Sequence, residues 1–508
     1  MRSNRVCNVS RLFELIDLSF GLWRNPNVSA SRSKKFTEDA PLGYAQPTDN
    51  SVSYHGVAFL SDNKESILNS YLPLIRENRD FRLLWIAQVV SLLGDWFNTI
   101  ALSALVIAYS NGSGLALSIF LLARFLPPLI IGPIAGVLVD RFDRLKILIY
   151  CNILRTGVVL MFLLATTPDT LWLIYLLTII QFALSAFFEP GQSAVTPALV
   201  EQKDLVAANT LASVTWSGML AVGAVIGGVV AAIFGTATAL IIDATTFAIA
   251  GWLISKIHYV QPPQPTHTAE SRKAGAGGFR DGIRYVLKHP STLMTMLIKG
   301  GNSIGNVDTL MTIFATQVFI IGLNGQLSLG IVYSAFGVGA VLGPFLLNKI
   351  NDGSIKRMRQ LVFVGFIGST LGWLVMGASG SLMMVCVALI LRAMGGSVNW
   401  TYSQVLIQKS VPDAYLGRVF SLDLAFFQLT TVISTIAHGA WIDALNMSII
   451  PPLLRINNHW LGDGLYLLTN GTLADNLSQI SFITGAISLI PLMIWGIAFP
   501  RMNGKDDE

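Results

Sequence analysis

Charge is scarce in this chain. Of its 508 residues only 12% are Asp, Glu, Lys or Arg, while 53% are hydrophobic and the mean hydropathy is +0.59. An ordinary soluble domain carries about 25% charged residues. A soluble chain of this length would form several domains, and there is too little polar surface here to clothe them. Cysteine is as sparse: Cys7, Cys151 and Cys386 form no CxxC pair, which argues against a thiolate metal site or a disulfide framework. Of six histidines only His438 lies in an apolar run, so the paired ligands of a membrane haem or quinone enzyme are missing. No G-x-x-x-x-G-K-[ST] phosphate loop occurs, which argues against ATP-driven pumping by this chain. No enzyme activity, metal or cofactor is expected. The net charge of +5 reads as a bias toward one membrane side, not as a nucleic-acid footprint.

What is present is long apolar runs with charge clusters between them. Runs of about 20 residues span a bilayer as helices. Twelve are found, at 81–109, 115–139, 147–167, 170–190, 207–233, 236–257, 292–321, 327–349, 360–378, 382–408, 418–443 and 480–499. The expected fold is an all-α membrane protein of twelve transmembrane helices. Their glycines and prolines are tolerated where neighbouring helices satisfy the backbone. Lys and Arg crowd alternate loops, from Arg76/Arg79/Arg82 to Arg501/Lys505, whereas the opposite loops hold Arg455 alone. The positive-inside rule then puts both termini in the cytoplasm of a cell-membrane (inner or plasma) protein. The stretch "RLFELIDLSFGLW" contains Glu14 and Asp17 and lacks the apolar core of a signal peptide. Residues 1–75 are expected to form a disordered arm, 76–257 a six-helix bundle, 258–290 a cytoplasmic linker, 291–500 a second bundle with an external loop at 444–478, and 501–508 a cytoplasmic tail.

The halves match each other at a fixed shift of 211 residues. "LLGD" (Leu92–Asp95) falls on "SIGN" (Ser303–Asn306), "IGP" (Ile131–Pro133) on "LGP" (Leu342–Pro344), and Val200 on Val411. Two bundles of like orientation are implied, a parallel repeat of the kind found in secondary transporters.

Between spans two and three lies "AGVLVDRFDRLKIL", with the pattern G-x-x-x-D-R-x-x-R carried by Gly136, Asp140, Arg141 and Arg144. With it go "RDFRLLWIAQVVSLLGDWF", "LARFLP", "FFEPGQSAVTPALV", "DLVAANTL", "IIDATTFAIA", "DGIRYVLKHP" and "LGRVFSL". In these the chain resembles the major facilitator superfamily, and within it the branch of enterobactin-type siderophore exporters and macrolide efflux proteins. The resemblance covers about residues 76–443. It implies that Asp140 packs near the start of helix eleven, at Gly417 and Arg418, as part of a cytoplasmic gate. A carboxylate beside a helix N-terminus is favoured by roughly 0.3–1 kcal/mol. Gly136 permits close helix approach, and Asp423, five residues past Arg418, is assigned to the same gate. In the second half Leu347, Asn351, Asp352 and Ile355 replace the motif residues, so a second latch of this form is not expected.

Charges inside the spans are costly and mark function. Asp95 and Arg124 lie at depths that agree within roughly 3 Å at 1.5 Å per residue. They read as a buried pair, with Asp95 either the proton-coupling acid or part of a static contact. Gly94 beside Asp95 permits a local backbone distortion. Arg155 and Arg392 either bind anionic substrate groups or pair with acids. Asp308 lies near the outer mouth, too far along its helix to pair with Lys299. Asp243 is read as a structural hydrogen-bonding residue, and Glu189-Pro190 as the kinked end of helix four. Trp96, Asn98, Trp216, Asn302, Asn306, Trp400 and Gln404 are candidates for a cavity lining suited to amphipathic substrates.

The resemblance implies a monomeric exporter of an amphipathic small molecule (drug, macrolide or siderophore class), working by proton antiport with the proton gradient as energy source. A lysophospholipid transporter and a non-transporting receptor or scaffold are the competing readings.

Overall fold

A computed structural model describes residues 74–201, 204–258, 281–305, 307–446 and 473–503. The expected arm, the greater part of the linker, the centre of the loop at 444–478, most of the tail and Asn306 lie outside them. So do the side chains of Gly136, Asp140 and Arg141, although their backbone is helical.

Among the described residues ten helices are long and apolar enough to cross a bilayer. One of them is double. The segment Leu205–Ser255 is divided at Gly235, whose φ of 84° no L side chain adopts easily. Its arms, 205–234 and 236–255, are α5 and α6. One more span is assembled from pieces: α7a, Pro290–Asn302, and α7b, Val307–Ile313, which runs into a wide turn at Phe314–Val318. The others are α1 (Arg79–Tyr109), α2 (Gly114–Arg141), α3 (Arg144–Met161), α4 (Leu171–Leu199), α8 (Gln326–Asn348), α9 (Ile355–Gly377), α10 (Leu382–Ser410), α11 (Asp413–Asn446) and α12 (Leu473–Asn503). The described residues are thus all-helical, and the ten candidate spans, one of them double, together with the assembled α7 correspond to the twelve runs of the sequence.

Three local expectations give way. α1 runs unbroken through Gly94; the distortion sits instead at the repeat-related Gly305 (φ 85°), whose N–H donates to Ser434 Oγ at 2.9 Å. α4 continues through Pro190 and Pro197 to Leu199, as membrane helices can when neighbours compensate the missing donors. α11 and α12 extend to Asn446 and from Leu473, so both ends of the expected external loop are helical.

Side-chain caps start several helices, among them Asn78 accepting from Phe81 N–H (2.9 Å) and Ser354 from Arg357 N–H (3.1 Å). The cores are apolar, with Ile100, Leu117, Phe120 and Phe314 all but sealed from solvent. The periphery is apolar too: Trp172, Ile233, Met383 and Ile497 are exposed, a surface matched to lipid. α1 packs along α5 and α6, α2 along α4, α9 along α10 and α12. The halves meet along α2–α11 and α5–α8. One end of the molecule, here the basic rim, carries Lys146, Lys256, Lys356 and Lys409; the opposite rim carries Ser113, Gly322 and Asp443.

Candidate functional site

In the first half a charged cluster is built from four helices. Asp95 projects from α1 toward Arg155 of α3, with Oδ1 3.5 Å from Nη2. Arg155 is 5% exposed. Its Nη2 also donates to Ser185 Oγ on α4 at 2.8 Å, and its guanidinium lies 4.2 Å from the Phe247 ring centroid and 5.7 Å from that of Phe188. Arginine suits such a place because its flat cation stacks and donates at once. Asp243 of α6 is sealed beneath Gly94: a Cβ on that glycine would stand 2.0 Å from Thr246 Oγ1 and 2.6 Å from Asp243 Oδ1. The Asn98 side chain of α1 stands beside the Asp243 carboxylate.

The second half holds its own pair. Lys299 Nζ of α7a lies 2.5 Å from Asp423 Oδ2 of α11, with side chains 3% and 1% exposed. The ammonium also faces the Trp400 ring at 4.5 Å. Asp423 is thus not at the rim beside Arg418. Five residues turn the helix by about 140°, which carries Asp423 off the Arg418 face and onto α7a. Arg392 of α10 donates to the Asn302 carbonyl (2.5 Å) and lies 5.6 Å from the Trp373 centroid.

Between the halves stand Arg124, Asp308 and Tyr333. Arg124 is not the ion-pair partner of Asp95; depth fixes height but not azimuth, and Arg155 takes that place. Arg124 turns to Phe182 (4.9 Å) and Phe120 (5.9 Å), and among the described residues no acid lies within ion-pair distance of it. It stays within electrostatic range of Asp95, Asp308 and Asp243. Asp308 in turn senses Arg124 and Arg392, with Tyr333 beside it. The Trp96 ring of α1 meets Tyr333 of α8 at 5.3 Å. A belt of charge therefore links both halves.

The remaining expected residues fall out as follows. Asn98 Nδ2 donates to Gln181 Oε1 at 3.5 Å. Trp216 is 55% exposed and takes no part in the belt. Trp400 meets Phe427 edge-on at 4.9 Å, and Gln404 is half-buried. Gly417 faces open space, while Arg418 lies beneath the short helix at 281–288, where a Cβ on Gly282 would come within 3.0 Å of its Cβ. Arg144 donates to the Ala194 carbonyl on α4 at 3.2 Å. In the degenerate second copy of the motif the loop closes on itself: Asp352 accepts from Ser354 N–H (2.9 Å), and Lys409 donates to the Gly353 carbonyl (2.7 Å). The bonds from Ser354 hold the Asp352 carboxyl below its ordinary range.

Sequence reasoning missed three things here. The Lys299–Asp423 pair was discoverable, since both charges sit inside spans, but its register needed the helix rotation. Tyr333 carried no signal beyond an aromatic in a span. Asp443, the last residue of the expected eleventh span and three residues from the end of α11, carried no local signal of a partner.

A sequence model of the Major Facilitator Superfamily matches residues 84–435. Macrolide efflux protein A of Streptococcus pyogenes is 26% identical over 410 residues, covering 77% of this chain and 93% of that protein. The enterobactin exporter EntS of Shigella boydii is 27% identical over 377 residues, covering 71% and 84%. Among solved structures, a bacterial homolog of the human lysosomal transporter Spinster, inward-facing and unoccupied, superposes with a TM-score of 0.60 at 14% identity, over 86% of this chain and 98% of that one.

Proposed function

The chain belongs to the Major Facilitator Superfamily, and from that premise we propose that this multi-pass membrane transporter exports an amphipathic small molecule of the drug, macrolide or siderophore class by proton antiport. Support for export comes from relatives matched over most of their length, which are named as efflux and exporter proteins. The basic rim faces the cytoplasm, because Lys and Arg are retained on that side.

The observation that carries the coupling is the Asp95–Arg155 contact at 3.5 Å. A proton on Asp95 removes its charge and frees Arg155 from that acid. Ser185, Phe247 and Phe188 keep the guanidinium in place through the change. Proton and substrate then act on one cluster in turn, and alternating access follows when each state favours a different closure of the two halves.

Everted membrane vesicles test this. With an acidic lumen, and so an outward-directed proton gradient, wild-type protein is expected to accumulate a macrolide or catecholate probe and to release luminal protons when the probe is added. Asp95→Asn is expected to keep probe binding and lose the gradient-driven accumulation. Undiminished proton-coupled accumulation by that variant refutes the assignment.

A further inference from the structure

α2 begins at the rim opposite the basic one. Ser113 caps it, its Oγ accepting from Ala116 N–H at 3.1 Å. The first backbone donors of a helix have no partner of their own. Here their partner comes from the other half of the molecule. Asp443, in the last turn of α11, accepts from Ser113 Oγ–H (2.7 Å, Oδ2), Gly114 N–H (2.7 Å, Oδ1) and Leu115 N–H (3.1 Å, Oδ2). A carboxylate thus sits on the positive end of a helix dipole and takes three charge-assisted bonds.

The backbones below it are in contact. A Cβ on Gly439 would fall 2.5 Å from the Gly114 carbonyl oxygen and 2.2 Å from Ser118 Oγ. Ser118 Oγ donates to the Thr435 carbonyl at 2.8 Å. Across the molecule the second seam closes in the same way: a Cβ on Gly330 would fall 2.6 Å from the Ala224 carbonyl oxygen, and Gln326 Nε2 donates to Thr236 Oγ1 at 2.8 Å. The ion pairs described above each lie within one half. The Asp443 bonds cross between halves.

We infer that Asp443 is a clasp that holds the two halves together at this rim, and so a positioning residue for alternating access. This rests on the transporter reading but on no particular substrate or coupling ion. Asp443 is only half-buried and Leu115 is 39% exposed. Water can take over the three bonds when the rim parts, so the clasp is strong enough to bias a state and weak enough to release. Its logic mirrors the gate read from the sequence, in which an acid of α2 meets the start of α11. Here an acid of α11 meets the start of α2, at the other end of the same helix pair.

Double electron–electron resonance on the full chain, in lipid nanodiscs without substrate or gradient, tests it. Spin labels go at Asp169→Cys and Gly380→Cys for this rim, and at Lys146→Cys and Lys356→Cys for the basic rim, after Cys7, Cys151 and Cys386 are replaced. Asp443→Ala is expected to raise the ratio of long to short distances at the first pair about tenfold, or 1.4 kcal/mol. The second pair should shorten at the same time. Asp443→Asn, whose amide oxygen accepts without charge, should give a smaller shift in the same direction. If Asp443→Ala fails to yield folded protein, Asp443→Asn and Ser113→Ala carry the measurement. Unchanged distances in the folded variants overturn the clasp, and so does lengthening at the first pair without shortening at the second. Because no substrate or proton is involved, a failure here is separable from a failure of Asp95→Asn in transport.

Discussion

Breaking the Lys299–Asp423 pair is expected to destabilise the second half far more than deleting it. At 2.5 Å the two charges attract by about 7 kcal/mol at an effective dielectric of about 20. Burying each costs several kcal/mol, so the intact pair contributes little net stability. Remove one charge and the other is left in a site where both side chains are nearly sealed, 3% and 1% exposed. The loss is then about 3–5 kcal/mol. Asp423→Asn or Lys299→Met alone should lower the apparent melting temperature of detergent-purified protein by on the order of 5–10 °C. The double variant Lys299→Met/Asp423→Leu should recover most of that loss, since no uncompensated charge remains and the Met side chain keeps contact with Trp400. Thermal unfolding followed by tryptophan fluorescence reads all four proteins. Single variants as stable as wild type, or a double variant no better than the worse single, would refute the argument.

Two further substitutions probe the packing around the belt. Gly94→Ala puts a methyl 2.0 Å from Thr246 Oγ1, which forces α1 and α6 apart at a cost of about 1–3 kcal/mol; adding Thr246→Ala should restore part of the lost melting temperature, and no restoration would show that Thr246 is not the obstacle. Arg155→Lys keeps the charge but cannot both stack on Phe247 and hold Ser185; it should reduce gradient-driven accumulation several-fold in everted vesicles while leaving folding intact, and full activity would argue against the fixed guanidinium.

The twelve spans, the break at Gly235 and the basic rim were legible in the amino-acid sequence because a bilayer is nearly a one-dimensional solvent. Span length, the scarcity of charge and the side on which Lys and Arg accumulate depend only on position along the membrane normal. The repeat at a shift of 211 residues and the loop around Asp140 added the family by pattern. Partnership was not legible, because it depends on rotation about each helix and on which helix stands beside it. Depth placed Asp95 level with Arg124, yet the turn of α1 toward α3 gave it Arg155. Spacing put Asp423 near Arg418, yet five residues of helical rotation turned it to Lys299. Nothing local to Asp443 foretold that it would cap α2, whose first residues lie 329 positions earlier in the chain. Only the folding of one half against the other brings that acid to those unpaired N–H groups.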